Sequence, residues 1–438
     1  VLHVFEVSVL TNPYGTLVLA ALISCAGVHE TARAQDVESP RSTSNALSLE
    51  QAVELALQKT PQLEAQAASV DAARSMTVAA GRLPDPELVL GVDNLPINGA
   101  DAWSFGRDFM TMRRVGVMQS FPSQRKRASQ LARANAAVTV AESKSRQSQL
   151  EVAAATAMAW VALQATETGR HRLLLLKPEV ELQAQAARSS LASGRGTAVD
   201  ALAAQSEISD LSDRLLQAQR DAAAARAELA RWIGPDAERP LANDAHFDEL
   251  PASRERLLAT VHQHASLQTY DAERVLAQSE IDLAKAEKRP DWSAELAYSK
   301  RGAPFSDLVS LEFRIGLPLF SSHRQDPLIS AKHAQLSQLE FEREAELRMH
   351  TADVTNALAR WDAAHLRIEL YETERLPLAR QRSEAALSAF RSGKAELSAV
   401  MASHVAELEV QRGYVDLMRE LGEAWVYLRY LDLGRTSP

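Results

Sequence analysis

Histidine, cysteine and methionine are the residues here with the widest chemical repertoire, and their spacing does not build a reaction centre. The chain has 11 histidines, and the closest pair is His262 and His264. On a helix an i,i+2 spacing points the two rings to different faces, whereas a zinc-binding helix uses i,i+4. The pair therefore reads as solvated surface histidines. Met110 and Met112 are soft enough to bind Cu(I), but two methionines in a loop-to-strand segment read as packing. Cys25 is the one cysteine, so no intramolecular disulfide and no thiolate zinc or redox motif can form. No catalytic group, resident metal or cofactor is expected. The remaining chemistry is conformational. Gly194 and Gly393 each stand where a long helix should end and reverse, a task suited to a residue tolerant of positive φ. Pro178 and Pro377 each stand inside a helix that they should kink or break.

The elements that would position these residues follow from composition and pattern. With 46% hydrophobic and 24% charged residues the chain is not disordered by composition, and 17 glycines and 17 prolines in 438 residues favour long helices. The net charge of −9 argues against nucleic acid as a partner. Beyond the N-terminus no run approaches the ~20 apolar residues of a spanning helix, so any membrane passage must use strands. Residues 1–34 read as an export segment. Thr16 to Ala26 form an apolar core of signal-peptide length, Ala32-Arg33-Ala34 is an A-x-A cleavage pattern, and Leu22-Ile23-Ser24-Cys25 resembles a lipoprotein box in which Cys25 would be lipidated. Simple cleavage and lipidation both stay open. Residues 35–46 read as a flexible segment.

An internal repeat spans the rest, with a period of about 200 residues. Arg82-Leu83-Pro84-Asp85 matches Lys288-Arg289-Pro290-Asp291, and Val115-Gly116-Val117 with Phe121 matches Ile315-Gly316-Leu317 with Phe320. Pro178 matches Pro377, and Leu191-Ala192-Ser193-Gly194-Arg195 matches Phe390-Arg391-Ser392-Gly393-Lys394. The first copy covers 47–234, with strands near 85–95 and 112–121 and helices near 123–193 and 197–233. A linker at 235–252 carries Pro235, Pro240 and Pro251. The second copy covers 253–433, with strands near 291–300 and 308–320 and helices near 323–392 and 395–432, leaving 434–438 as a tail.

Strands come from period-2 alternation. From Val309 to Leu317 every odd position is apolar and every even one polar or glycine, and Trp292, Ala294, Leu296 and Tyr298 alternate with Ser293, Glu295, Ala297 and Ser299. Helices come from the scarcity of breakers: Ser123 to Ser193 contains only Gly169 and Pro178, and could reach about 100 Å. After Gly196 a 4-3 seam of Ala204, Ile208, Leu211, Leu215, Ala218, Ala222, Ala225, Leu229 and Trp232 indicates coiled-coil packing. Four strands cannot close a transmembrane barrel, which needs at least eight, and an open sheet in lipid leaves backbone groups unpaired. Other copies of the chain must pair the edges. Two copies give eight strands and three give twelve. The apolar face would meet lipid, and Ser310, Glu312 and Arg314 would face a lumen.

The residues from Leu47 to Leu433 resemble the TolC family of outer-membrane efflux channels. The resemblance rests on Leu47-Ser48-Leu49-Glu50-Gln51-Ala52-Val53-Glu54-Leu55-Ala56-Leu57, on Leu83-Pro84-Asp85-Pro86, and on the glycine turn followed by Thr197-Ala198-Val199-Asp200-Ala201-Leu202 and by Ala230-Arg231-Trp232-Ile233-Gly234. It implies a mainly α chain with a small β part, in a homotrimer whose 12-stranded outer-membrane β-barrel continues as a long periplasmic α-helical barrel. It implies two protein partners, a periplasmic membrane-fusion adaptor and an inner-membrane RND-type pump, in contact with outer-membrane lipid. Ser193, Gly194, Arg195, Gly196, Ser392, Gly393 and Lys394 would form the tip that meets the adaptor. Asp200 stands where the family carries a charged constriction. The second copy has Ala399 there and Glu396 earlier, so a gate of Asp200, Glu396 and Arg391 would have only threefold symmetry. A ring of like carboxylates would favour cations. Pro178 and Pro377 would mark a girdle where the tube changes packing. Pro84-Asp85-Pro86-Glu87-Leu88, Asp93-Asn94-Leu95-Pro96 and Asp108 to Arg114 most resemble the heavy-metal branch, which exports copper and silver or cobalt, zinc and cadmium. A multidrug or type I secretion duct of the same fold is the near alternative, and a non-pore periplasmic coiled-coil adaptor the distant one.

Overall fold

The computed structural model describes residues 46–194, 196–242 and 245–431. The export segment with Cys25, the tip residue Arg195 and the tail lie outside these residues. Helices α1 (Leu49–Lys59) and α2 (Pro61–Ala79) lead to strands β1 (Glu87–Asp93) and β2 (Met112–Phe121), then to α3 (Gln124–Ala192) and α4 (Ala198–Ile233). After a linker come α5 (Arg254–Thr260), α6 (Ala265–Ala286), β3 (Trp292–Lys300), β4 (Leu308–Ile315), α7 (Gln325–Leu370), α8 (Leu376–Arg391) and α9 (Leu397–Arg429).

Local chemistry sets many of these boundaries. Ser48, Ser123 and Ser253 cap α1, α3 and α5 by accepting a hydrogen bond from the backbone N–H three residues on. Pro61 opens α2, where its missing N–H costs nothing. At 69 residues, α3 is about 100 Å long. The expected break at Pro178 is absent, because α3 continues through it. One lost hydrogen bond is outweighed by packing just beyond, where Val180, Gln183, Ala184 and Ala187 are buried. At Pro377 the helical path does change: a π-helical turn, Tyr371–Arg375, separates α7 from α8. β4 ends at Ile315 rather than near 320, since Pro318 has no N–H to offer a sheet. The helices α2 and α6, which precede each strand pair, are elements the sequence patterns did not resolve.

The strands form one antiparallel sheet in the order β1-β2-β3-β4, so the two halves of the chain meet at β2 and β3. β1 and β4 are its unpaired edges. All four strands join the helices at one end, and the connections 94–111 and 301–307 lie at the other. The main core lies in the helical body around Trp160, Leu163, Leu229, Leu257, Trp361 and Leu421. The Trp160 indole N–H donates to the Leu47 carbonyl at 3.1 Å, and the Trp361 indole N–H donates to the Phe247 carbonyl at 2.9 Å. A second, smaller core of Ala184, Ala187, Ala204, Leu397 and Val400 holds the helices together near their far ends. Along α4, Ala204, Leu211, Ala222 and Leu229 are buried and the other seam positions half-buried.

Candidate functional site: a two-faced sheet and two hairpin tips

Because directly paired residues share a face, the register fixes what each side of the sheet presents. One side carries the rows Leu90–Val115–Tyr298–Val309, Leu88–Val117–Leu296–Leu311, Gln119–Ala294–Phe313 and Phe121–Trp292–Ile315. Among the described residues nothing covers it: Leu88, Leu90, Val117, Leu296, Leu311 and Phe313 are each more than half exposed. The rows span about 20 Å along the strands. The one polar member, Gln119, has its amide engaged by the Pro84 and Ser120 carbonyls. Phe121 and Trp292 stack with centroids 4.1 Å apart.

The other side is polar. Glu87, Met118, Glu295 and Glu312 share one row; Arg314 lies in the next row on one side, and Arg114 lies two rows off on the other, beyond the row of Gly116 and Ala297. Arg314 donates to Glu312 at 2.7 Å and to Glu295 at 3.1 Å, and Arg114 lies 3.2 Å from Glu295. The two guanidiniums cover Glu295, which is only 3% exposed in a single-layer sheet. Gly116 makes the space, since a Cβ there would stand 2.9 Å from the Ala297 Cβ and 3.1 Å from Glu295 Oε1. Ser310, Glu312 and Arg314 were legible as the polar face. Glu295 was legible as polar by alternation, but its pairing with Arg114 depends on a register that periodicity does not contain.

At the helical end, Asp291 ties the sheet to α3. It accepts from the Ser123 N–H at 2.9 Å and from Lys126 Nζ at 2.7 Å. Partial burial alone would raise its pKa, but the Lys126 and Ser123 hydrogen bonds outweigh burial and hold the carboxyl below its usual range. Glu280 of α6 does similar work between α3 and α7: it pairs with Arg133 at 3.2 Å and Lys332 at 2.8 Å, which together overcome its desolvation and lower its pKa.

At the opposite end are two helix reversals. Gly194 and Gly393 both have φ +71°, and a Cβ on either would meet nothing within 4 Å. Ser193 and Ser392 are the C-caps of α3 and α8. The Gly196 N–H reaches back to the Ser190 carbonyl at 3.0 Å, and the Lys394 N–H to the Ala389 carbonyl at 2.8 Å, closing both helix ends. The turns then diverge. Asp200 and Thr197 form a capping box: Asp200 Oδ2 accepts from Thr197 Oγ1 at 2.6 Å and from the Thr197 N–H at 3.2 Å. Glu396 stands at the N-cap of α9, makes no side-chain cap, and accepts from Ser398 Oγ at 3.4 Å. Ser392, Lys394 and Arg391 are exposed. Val199 and Leu202, at the start of α4, are 75% and 70% exposed, an apolar tip feature that the sequence reading did not single out.

The histidine expectation needs correction. His262 is exposed, but His264 is half-buried and its ring lies 3.8 Å from that of His350, with Ser266 Oγ bonded to both. The N-cap position of His264 on α6 turns it onto α7. Among the described residues, no group of three or more His, Cys, Asp or Glu side chains is arranged to hold a metal ion, and no helix is long and apolar enough to cross a membrane.

Residues 52–235 match the model of the outer membrane efflux protein (OEP) family. No curated protein matches the chain. Among the solved structures that share its fold are three outer-membrane proteins. The outer-membrane channel OprN is 17% identical with a TM-score of 0.72, covering 87% of this chain and 89% of its own. VceC, an outer-membrane protein of Vibrio cholerae, is 18% identical with a TM-score of 0.71, covering 87% and 95%. The CmeC outer-membrane channel of Campylobacter jejuni is 11% identical with a TM-score of 0.73, covering 87% and 85%.

Proposed function

We propose that this chain, whose residues 52–235 carry the outer membrane efflux protein signature and whose fold is that of outer-membrane channels, is one subunit of a homotrimeric efflux duct. The observation that carries the reading is the sheet: an uncovered apolar side, a charged side, and two unpaired edges. In lipid each unpaired backbone group costs several kcal/mol. Pairing β4 of one copy with β1 of the next removes both edges, and three copies give the twelve strands that the family resemblance implies. The apolar side then faces lipid, and the Glu295 network faces the lumen.

The helices continue the tube away from the membrane into the periplasm. Two further pairings support descent from a duplicated unit: the Trp160–Leu47 and Trp361–Phe247 hydrogen bonds, and the identical φ of Gly194 and Gly393. The tips, with Val199 and Leu202 as apolar anchors, would dock a periplasmic membrane-fusion adaptor, which links the duct to an RND-type inner-membrane pump. The cargo in this reading is heavy-metal cations, passed without being held. On the luminal face Glu87, Asp93, Glu295 and Glu312 outnumber Arg114 and Arg314, a balance suited to cations.

Reconstitution in planar bilayers tests the duct. The expected result is a stable conductance from a heat-modifiable trimer, and a non-conducting monomer would refute it. Sensitivity of a deletion strain to copper, silver, cobalt, zinc and cadmium tests the cargo. Sensitivity to a drug panel alone would overturn the metal assignment and leave the duct standing.

A further inference from the structure

The apolar side of the sheet ends in a different kind of row at the end away from the helices. Arg113 of β2 pairs in register with Lys300 of β3, and Val92 of β1 completes the row. These residues lie on the same side as Val115, Tyr298 and Leu90, one row further out. All three are exposed. Two cations directly opposite each other repel and destabilise a sheet, so the arrangement calls for an anion. Among the described residues no ion pair engages Arg113 or Lys300. The carboxylate whose charge reaches Lys300, Asp307, makes no ion pair with it and accepts instead from the Tyr298 hydroxyl and the Arg301 N–H. The other two arginines of the connecting loops are also committed. Arg107 pairs with Asp101, and Arg301 donates to the Ser306 and Phe109 carbonyls.

The position of the row identifies what the anion is. It borders an apolar band on the side that faces lipid, and it lies at the end opposite the helices. If the helices are periplasmic, this end is at the outer leaflet, at head-group depth. We infer that Arg113 and Lys300 bind the phosphate of an outer-leaflet lipid head group. The two side chains, one planar and bidentate and one a point charge, rise from adjacent strands to hold a single phosphate. Neither faces the lumen nor a sheet edge, so trimerisation leaves both open to lipid. The inference rests on the barrel reading above.

The test uses the intact trimer, with lipid A carrying its phosphates as the probe and dephosphorylated lipid A as the control, both in neutral detergent and read by native mass spectrometry. The wild-type trimer should retain the phosphorylated form in preference. The Arg113→Gln/Lys300→Gln double variant should lose that preference by roughly thirtyfold, the worth of two surface cations beside an anionic lipid, while trimer formation and conductance stay unchanged. Equal retention of the two lipids by wild type, or an undiminished preference in the variant, overturns the inference. So does full competition by millimolar inorganic phosphate, which would make the site one for soluble anions. Failure of the wild type to trimerise or conduct would instead overturn the barrel reading.

Discussion

At the residue scale, the two glycines and Asp200 do their work through the backbone. Gly194 and Gly393 occupy a left-handed conformation in open space, so a side chain there pays a conformational penalty and meets no clash. Gly393→Ala should destabilise the hairpin by about 1–2 kcal/mol, and Gly393→Asn by less, since asparagine tolerates this region. Denaturant unfolding curves of the single variants read the difference; equal loss for both would contradict a purely conformational cost. Asp200 has two separable roles, a cap that the structure displays and a gate charge that we propose. Asp200→Asn keeps an acceptor for Thr197 and removes the charge. Its stability should change by a few tenths of a kcal/mol, and its cation preference should weaken. An unchanged reversal potential would leave Asp200 as a cap alone.

At the element scale, the junction between sheet and helices depends on a carboxylate. Asp291 has a lower pKa in the fold than in the unfolded chain, despite partial burial, because Lys126 and the Ser123 N–H favour its charged form. Its contribution is therefore present above the unfolded carboxylate range, near pH 4, and is lost as pH falls through the lower folded value. The Asp291–Lys126 pair is partly solvated, with side-chain exposures of 37% and 25%, so screening limits its worth to about 1 kcal/mol. Asp291→Asn should lower stability by that amount at pH 7 and by little at pH 2, in melts followed by circular dichroism. A pH-independent loss would point to packing instead. β2 shows why this region is harder to read than β4. Its mainly apolar side includes Arg113 and Gln119, and its polar side includes Met112 and Met118. Register places Met118 there, and its sulfur accepts from Arg314 at 3.2 Å.

At the scale of the whole molecule, the two sides of the sheet make opposite demands. Leu311 and Ser310 are neighbours in sequence on opposite faces. In the proposed duct Leu311→Arg would place a cation in lipid, at a cost of about 2–4 kcal/mol near the midplane, repeated in each copy. Ser310→Arg would there add a cation to an aqueous lumen. The first should sharply reduce heat-modifiable trimer in outer-membrane fractions. The second should assemble normally and shift ion selectivity toward anions. Equal assembly of both variants would argue against a lipid-facing side.

Local periodicity carried a great deal. Val309 to Ile315 alternate because one side of the strand is apolar and the other polar, and the spacing of Ala204, Leu211, Ala222 and Leu229 records a helix packed along a seam. These patterns need only neighbouring residues, so the sequence by itself determined the four strands, the long helices and the two-sided sheet that a single chain cannot close. What depends on residues far apart in the chain was decided only by the tertiary structure. Register set Arg114 against Glu295 and Arg113 against Lys300, packing carried α3 through Pro178, and a π-helical turn placed Pro377 at the start of a new helix. His264 met His350 because α6 is capped against α7. A contact between distant residues leaves no period in either segment, and only the folded chain brings them together.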